Sequence, residues 1–327
     1  MGLSKHIRSF VDARFDTEIA EHFIDKQVHK RLPPHTGWLH VFGSLSLLLF
    51  VSQTITGILL LIYYRPTPEA AHKSIQYITA EVNFGWLYRQ VHAWGASVMI
   101  LAVVLHMTRT YFFGAYKKPR ELTWVTGVLI FIVTITFGVT GYLLPWNQVA
   151  FWATTVGTES ANQIPIIGEW LRYFLRGGDA VTGETLSRFF VVHVIILPWI
   201  LTGLLAVHLF LMRATNLATL EAVGEEKPVP AEEGIPFFPV HAAKEGVVAV
   251  LLLAVLVTLS VLAPWEIGEP ADPLATPAHI KPEWYFLPSY QLLKYFEGPH
   301  GAFVGILACS LPFALLLFWP FLDRGKH

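Results

Sequence analysis

The 327-residue chain is 54% hydrophobic and only 14% charged, with a mean hydropathy of +0.49 and a formal net charge of −1. Soluble domains carry about 25% charged residues, so this composition calls for a solvent that tolerates apolar surface, and the near-zero charge gives no electrostatic basis for binding nucleic acid. The single cysteine, Cys309, excludes disulfides, iron–sulfur clusters and thiolate zinc sites.

The stretch from His6 to Arg31 is charged throughout, without the apolar core or small-residue cleavage site of a signal peptide. Ile7, Phe10, Val11, Phe15, Ile19 and Phe23 recur at spacings of three and four. Residues 1–32 therefore read as an amphipathic helix, lying on a membrane surface or packed on a partner subunit. Pro33 and Pro34 end it. Six apolar spans follow, at about 38–63, 88–113, 123–143, 188–212, 246–264 and 301–321, each long enough to cross a bilayer. The connection 150–187 holds two shorter amphipathic pieces and the Gly177-Gly178 break. Residues 214–244 are polar, with Glu225, Glu226, Glu232, Glu233 and four prolines, and read as a linker. The segment 265–299 is rich in Pro, Trp and Tyr, which suits an ordered loop at the membrane–water interface. The expected fold is an all-α polytopic membrane protein: a surface helix over 1–32, a four-helix bundle over 33–213, the linker 214–244 and a two-helix part over 245–327.

Lysine and arginine set the expected orientation. Lys5, Arg8, Arg14, Lys26, Lys30, Arg31, Lys117, Lys118, Arg120, Arg213, Lys227, Lys244, Arg324 and Lys326 fall on the N-terminal side, outnumbering Arg65, Lys73, Arg89, Arg172, Arg176, Arg188, Lys281 and Lys294 on the other. A cytoplasmic N-terminus follows from the positive-inside bias.

Histidine is the unusual residue. His92 and His106 lie 14 residues apart on the second span; His193 and His208 lie 15 apart on the fourth. At 100° per residue these steps come within about 40° and 60° of whole turns, so each pair points to one helix face, its members roughly 21–22 Å apart along the axis. Two helices each offering an imidazole at two depths suit two bis-histidine haems stacked across the bilayer. Four unrelated buried histidines would leave unpaired polar groups in hydrocarbon, at considerable cost. Gly43 and Gly57 on the first span, and Gly127 and Gly141 on the third, repeat the 14-residue step. Glycine allows the close backbone approach that a flat macrocycle between helices needs. Arg89 precedes His92 by three residues and Arg109 follows His106 by three. Each is placed to neutralise a haem propionate or, more simply, to snorkel to the interface.

The four histidines, the four glycines, "FGVTGYLLPWNQVAFW" and "KPEWYFLPSYQLL" closely resemble the cytochrome b subunit of cytochrome bc-type quinol-oxidising complexes. "KKPRELTWVTG", "NFGW" and the 15-residue histidine step resemble its b-six branch, fused here to a shortened subunit-IV-like part. The resemblance implies two non-covalent haem b groups: His92 and His193 ligate the low-potential one near the periplasmic or lumenal face, and His106 and His208 the high-potential one near the cytoplasmic face. It places quinol oxidation beside Pro282, Glu283, Trp284 and Tyr285, with walls from 142–160. A carboxylate at the membrane edge can accept a quinol proton and carry it toward water, although Glu283 reads equally as a helix cap or interfacial anchor. Tyr142 and Tyr290 match pocket tyrosines, or are aromatic anchors. Arg213 matches the b-six pattern at the quinone-reduction site. Val41 stands where that branch carries a haem-attaching cysteine, so no covalently attached third haem is expected. The implied partners are a Rieske iron–sulfur protein, a c-type cytochrome subunit, a second copy of the chain and possible small subunits supplying further spans. The implied location is a bacterial cytoplasmic membrane. The activity implied is bifurcated quinol oxidation with proton translocation; a di-haem membrane anchor of a quinone-linked dehydrogenase is the alternative.

Overall fold

The computed structural model describes residues 6, 9–14, 17–215, 234–278, 280–298, 300–323 and 325. Six of its helices are long and apolar enough to span a membrane, and the order of elements follows the apolar runs.

The N-terminal stripe forms α1 (Thr17–Val28), with Glu18 in the first turn and Lys26 in the last, each complementing the helix dipole. Ile19 and Ile24 stay exposed on it, as does Phe10 before it. The helix therefore keeps an apolar face open to its surroundings. Ile7 and Phe15 lie outside the described residues. A two-residue antiparallel ladder joins β1 (Arg31–Leu32) to β2 (Ile235–Pro236). It is extended by the Phe237 N–H on the Lys30 carbonyl at 2.8 Å and by Arg31 on the Gly234 carbonyl at 3.0 Å. This seam fastens the surface segment to the start of the fifth span. Of the linker between the fourth and fifth spans, 216–233 lies outside the described residues.

The first span is α2 (Trp38–Leu61) and the second is α4 (Gly85–Phe112), with the short α3 (Ala71–Ala80) between them. The third span is α5 (Glu121–Leu143). The two amphipathic pieces are α6 (Gln148–Asn162) and α7 (Gly168–Arg176). Gly177, at φ +76°, stops α7 in the left-handed conformation that glycine adopts without cost. Arg176 is buried there and clasps α6, with its guanidinium 3.0 Å from Glu159 and 2.7 Å from the Thr158 hydroxyl.

The fourth span, α8 (Gly183–Thr215), and the fifth, α9 (Phe237–Leu262), both begin earlier than the hydropathy suggests. In α8 the cause is a polar first turn: Thr182 caps it through the Glu184 N–H, and Glu184, Thr185 and Arg188 follow. In α9 the apolar Phe237–Val240 is kinked at Phe238, and the regular helix starts at Ala242 and runs through the polar Lys244 and Glu245. Helical hydrogen bonding continues through residues that a hydropathy reading trims. After α10 (Leu287–Leu293) the chain ends its last span as α11 (Gly301–Leu322).

Helix α2 packs along α4, α5 along α8, and α4 against α5, giving the four-helix core; α9 lies on α4 and α2, and α11 on α5. The outward faces of α9 and α11 carry exposed Val250, Leu251, Leu262, Leu311 and Phe318, as lipid contact requires. The outer helix α11 is tied to the core by indole and phenol groups. Trp124 Nε1 donates to the Leu316 carbonyl at 2.6 Å, and the Tyr116 hydroxyl to Asp323 at 2.6 Å.

The segment after α9 is ordered by side chains of the bundle. Gln90, buried on α4, donates to the Trp265 carbonyl at 2.9 Å and accepts from the Trp265 N–H at 2.7 Å. Trp94 donates to the Ala263 carbonyl, Asn147 to that of Ile267, and His72 to that of Gly268. Gln90→Ala leaves both main-chain groups of Trp265 unpaired, costing about 1–3 kcal/mol. The expected outcome is faster proteolytic cleavage within 263–275 at unchanged helical content, read by limited proteolysis and circular dichroism.

Candidate functional site

Four imidazoles face inward from two helices. Along α4, His92 and His106 occupy two levels; α8 supplies His193 and His208. The His92 and His193 ring centroids lie 6.5 Å apart at an interplanar angle of 71°. This separation leaves room for one metal ion bonded to both rings at about 2.0–2.1 Å. His106 and His208 are close enough to interact electrostatically.

The 15-residue step on α8 carries a local consequence. Residues Val192–Ile196, with His193 among them, form a π-helical turn inside the helix. Such a turn takes up one extra residue without breaking the helix. His193 and His208 therefore keep the two-level register that 14 residues give on α4.

Each of the four predicted glycines stands against one of the four imidazoles. A Cβ on Gly57 would lie 3.3 Å from His92 Cε1, and one on Gly141 2.6 Å from His193 Cε1. At the other level, a Cβ on Gly43 would lie 3.2 Å from His106 Cε1 and one on Gly127 3.3 Å from His208 Cε1. The glycines thus make room first for the ring edges, a role that the macrocycle argument did not anticipate.

Three threonines, missed in the sequence reading, complete the notches. Thr56 Oγ1 is 2.9 Å from His92 Nδ1, Thr126 Oγ1 3.0 Å from His208 Nδ1, and Thr140 Oγ1 2.9 Å from His193 Nδ1. The signal was present as a recurring Thr-Gly dipeptide at 56–57, 126–127 and 140–141.

Among the described residues, the buried donors of the bundle without a protein acceptor include Gln53 Nε2, aimed across Gly95 on α4, Arg109 Nε, Tyr88 Oη and Thr123 Oγ1. Arg109 also contacts His40 Nε2 through its Nη2 and covers the Phe113 ring at 4.6 Å. His35 lies 5.6 Å from His40, centroid to centroid, so a basic cluster sits at the His106 end of the bundle. Among the described residues Arg89 makes no hydrogen bond or ion pair. Arg213 lies near Lys30, whose ammonium is lowered by burial and then by this like charge. Unsatisfied guanidinium and amide donors at both levels fit the acidic substituents of a porphyrin.

A second constellation lies at the His193 end. Glu283, at the head of the short helical turn Trp284–Phe286, has its carboxyl pushed above the ordinary range by burial. The Tyr285 hydroxyl is raised by burial and further by the neighbouring Glu283 and Tyr142, so these three groups share one environment. Gly138 on α5 makes room for it: a Cβ there would lie 3.0 Å from Tyr285 Oη. Pro282 precedes this group, while Trp284 is half exposed beside Tyr285 at 5.5 Å. Tyr290, on α10, carries Lys294 Nζ 4.2 Å over its ring.

Comparison with known proteins assigns the class. Residues 27–216 match the family described as cytochrome b/b6/petB, and residues 270–327 match cytochrome b(C-terminal)/b6/petD. The cytochrome bc complex cytochrome b subunit of Chlorobaculum thiosulfatiphilum is 44% identical over 303 residues, covering 92% of this chain and 70% of that one. Cytochrome b of Rhodobacter capsulatus is 34% identical over 340 residues, covering 93% and 78%. Cytochrome b6 of a Synechococcus strain is 43% identical over 196 residues, covering 60% of this chain and 91% of that one. A chain of a solved hyperthermophilic respiratory Complex III superposes with a TM-score of 0.88 at 36% identity, covering 97% and 83%. The chain belongs to the cytochrome b family of bc-type complexes, as a multi-pass, haem-binding membrane subunit of a redox assembly.

Because a Cβ on Gly141 would meet the His193 ring at 2.6 Å, Gly141→Val should displace that ring. The purified variant is expected to lose the pigment at the His92–His193 level and keep the other, read from dithionite-minus-ferricyanide difference spectra.

Proposed function

We propose that the chain is the quinol-oxidising cytochrome b subunit of a bc-type complex, carrying two haem b groups, one at each histidine level. The observation that carries the reading is the facing pair His92–His193, ring centroids 6.5 Å apart between glycine notches, with a second pair, His106 and His208, 14 and 15 residues further along the same two helices. Among the described residues no three His, Cys, Asp or Glu side chains converge on a metal position. The two imidazoles at each level, His92 with His193 and His106 with His208, would therefore hold one haem between them. When bound, the two haems supply one-electron carriers at two depths of the membrane. Residues 33–213 form the part that holds them, 214–244 the linker, and 245–327 the part that brings Glu283.

In this reading quinol binds beside Glu283, Tyr285 and Tyr142, with Pro282 and Trp284 shaping the mouth and Tyr290 at its margin. Its oxidation to quinone releases two electrons and two protons. Glu283 takes one proton, since a carboxyl already raised by burial is a better base at neutral pH than an exposed one, and the other passes to water on the same side of the membrane. One electron leaves to a Rieske iron–sulfur partner and on to a c-type cytochrome. The second moves inward. Tyr285 lies against Gly138, and the adjacent Phe137 ring touches His193 at 5.3 Å, so the quinol position and the first histidine level are separated by little more than one side chain. The His106–His208 level, with Arg109 and Arg213 at its end, faces the cytoplasm, where quinone is reduced. The host is a bacterial cytoplasmic membrane, with the subunit as a homodimer whose N-termini are cytoplasmic.

Two outcomes test this. In membranes supplied with quinol and pulsed with oxidant, blocking the quinone-reduction side should raise cytochrome b reduction; a one-way di-haem anchor gives no such oxidant-induced response. Glu283→Gln should slow quinol oxidation about tenfold to hundredfold, the low end of general-base effects because water can replace the carboxylate in part. The working base is the ionised form, so the wild-type rate rises with pH through its elevated pKa; the glutamine variant should lose that limb in a stopped-flow pH profile.

A further inference from the structure

The Thr-Gly dipeptides do more than fill space. In each, the hydroxyl hydrogen is committed within its own helix. Thr56 donates to the Ser52 carbonyl at 2.7 Å, Thr126 to that of Leu122 at 3.0 Å, and Thr140 to that of Thr136 at 2.9 Å. A hydroxyl has one hydrogen and two lone pairs, so what Oγ1 turns toward the imidazole is an acceptor. Nδ1 must then carry the ring proton. With the threonine oxygen as acceptor at each of these three rings, one tautomer is specified. Its Nε2 keeps the free lone pair that a metal takes.

We propose that Thr56, Thr126 and Thr140 are positioning residues that fix the tautomer and ring plane of three of the four iron-ligating imidazoles, with His106 outside this set. His106 packs against Gly43, and Gly43 is preceded by Phe42, which has no hydroxyl to offer. The level near Glu283 therefore has both rings held by threonine, and the other level has one. The proposal rests on the two-haem reading and adds an electronic consequence. An accepting partner on Nδ1–H gives the ligand imidazolate character, makes it a stronger donor and favours oxidised iron. Removing that partner raises the midpoint potential of the haem concerned.

The test uses the purified complex with Thr140→Val, Thr140→Ser and the wild type, read by redox titration of the cytochrome b α-band and by the low-spin ferric EPR signal. Thr140→Val should keep both pigments, shift one midpoint upward and move one low-field EPR feature, leaving the other pigment where it was. Thr140→Ser should return both readouts to the wild-type position. Thr126→Val provides the same measurement at the opposite level if Thr140→Val does not assemble, and it should move the other pigment. An unchanged potential and EPR position in the valine variants, or a serine variant displaced as far as valine, overturns the proposal. A wild-type complex without two reducible b-type pigments would instead overturn the two-haem reading, and no threonine variant bears on that result.

Discussion

Everything in the bundle answers to one constraint: four imidazoles must sit at membrane depth, where water is not available to satisfy them. An unpaired polar ring in hydrocarbon costs several kcal/mol at about the scale of a lost hydrogen bond plus desolvation. The chain meets this by giving each ring a specified neighbour on the helix opposite. Glycine admits the ring edge, and threonine accepts at Nδ1 in three of the four cases. In the proposed arrangement Nε2 is the atom left over at those three rings, and the proposed chemistry grows from that unspent lone pair.

The same constraint explains what was legible in the sequence. Six spans stood out because lipid demands long apolar runs, and their centres needed no tertiary knowledge. The start of α8 was misjudged because capping and a polar first turn at Thr182–Arg188 obey hydrogen bonding rather than hydropathy, and that of α9 because its first residues are kinked at Phe238 ahead of the polar Lys244 and Glu245. The histidines and glycines were visible as a shared 14-residue step. The threonines were not read, since a membrane threonine ordinarily satisfies itself on its own helix, and only the partner helix reveals its second role. Gly138 was hidden for a related reason: its meaning depends on Tyr285, about 150 residues later in the chain. His40 was passed over although it precedes Gly43 by three, as Arg109 follows His106 by three.

The loop carrying Glu283 depends on the bundle for its position. Gln90, Trp94, Asn147 and His72 hold 263–268 by its main chain, so the route from α9 to the Glu283 turn starts from a fixed edge. Such side-chain-to-backbone bonds let an irregular segment lie against a membrane helix without leaving carbonyls unpaired. Glu283 thereby shares an electrostatic environment with Tyr142, and Tyr142 follows Gly141, so the edge of this constellation and the notch for His193 lie on one turn of α5.

The π-helical turn at Val192–Ile196 shows how strict this register is. With 14 residues between the glycines on α2, between those on α5 and between the histidines on α4, a fifteenth residue on α8 would rotate one imidazole by about 100° out of the bundle if the helix stayed regular. The extra residue is absorbed within the turn that contains His193 itself. A regular α-helix there would carry a better hydrogen-bond ladder, yet it would turn the ring away from Gly141 and Thr140. The geometry retained is the one that keeps the imidazole in its notch, so the position of the ring outranks the regularity of the helix that bears it.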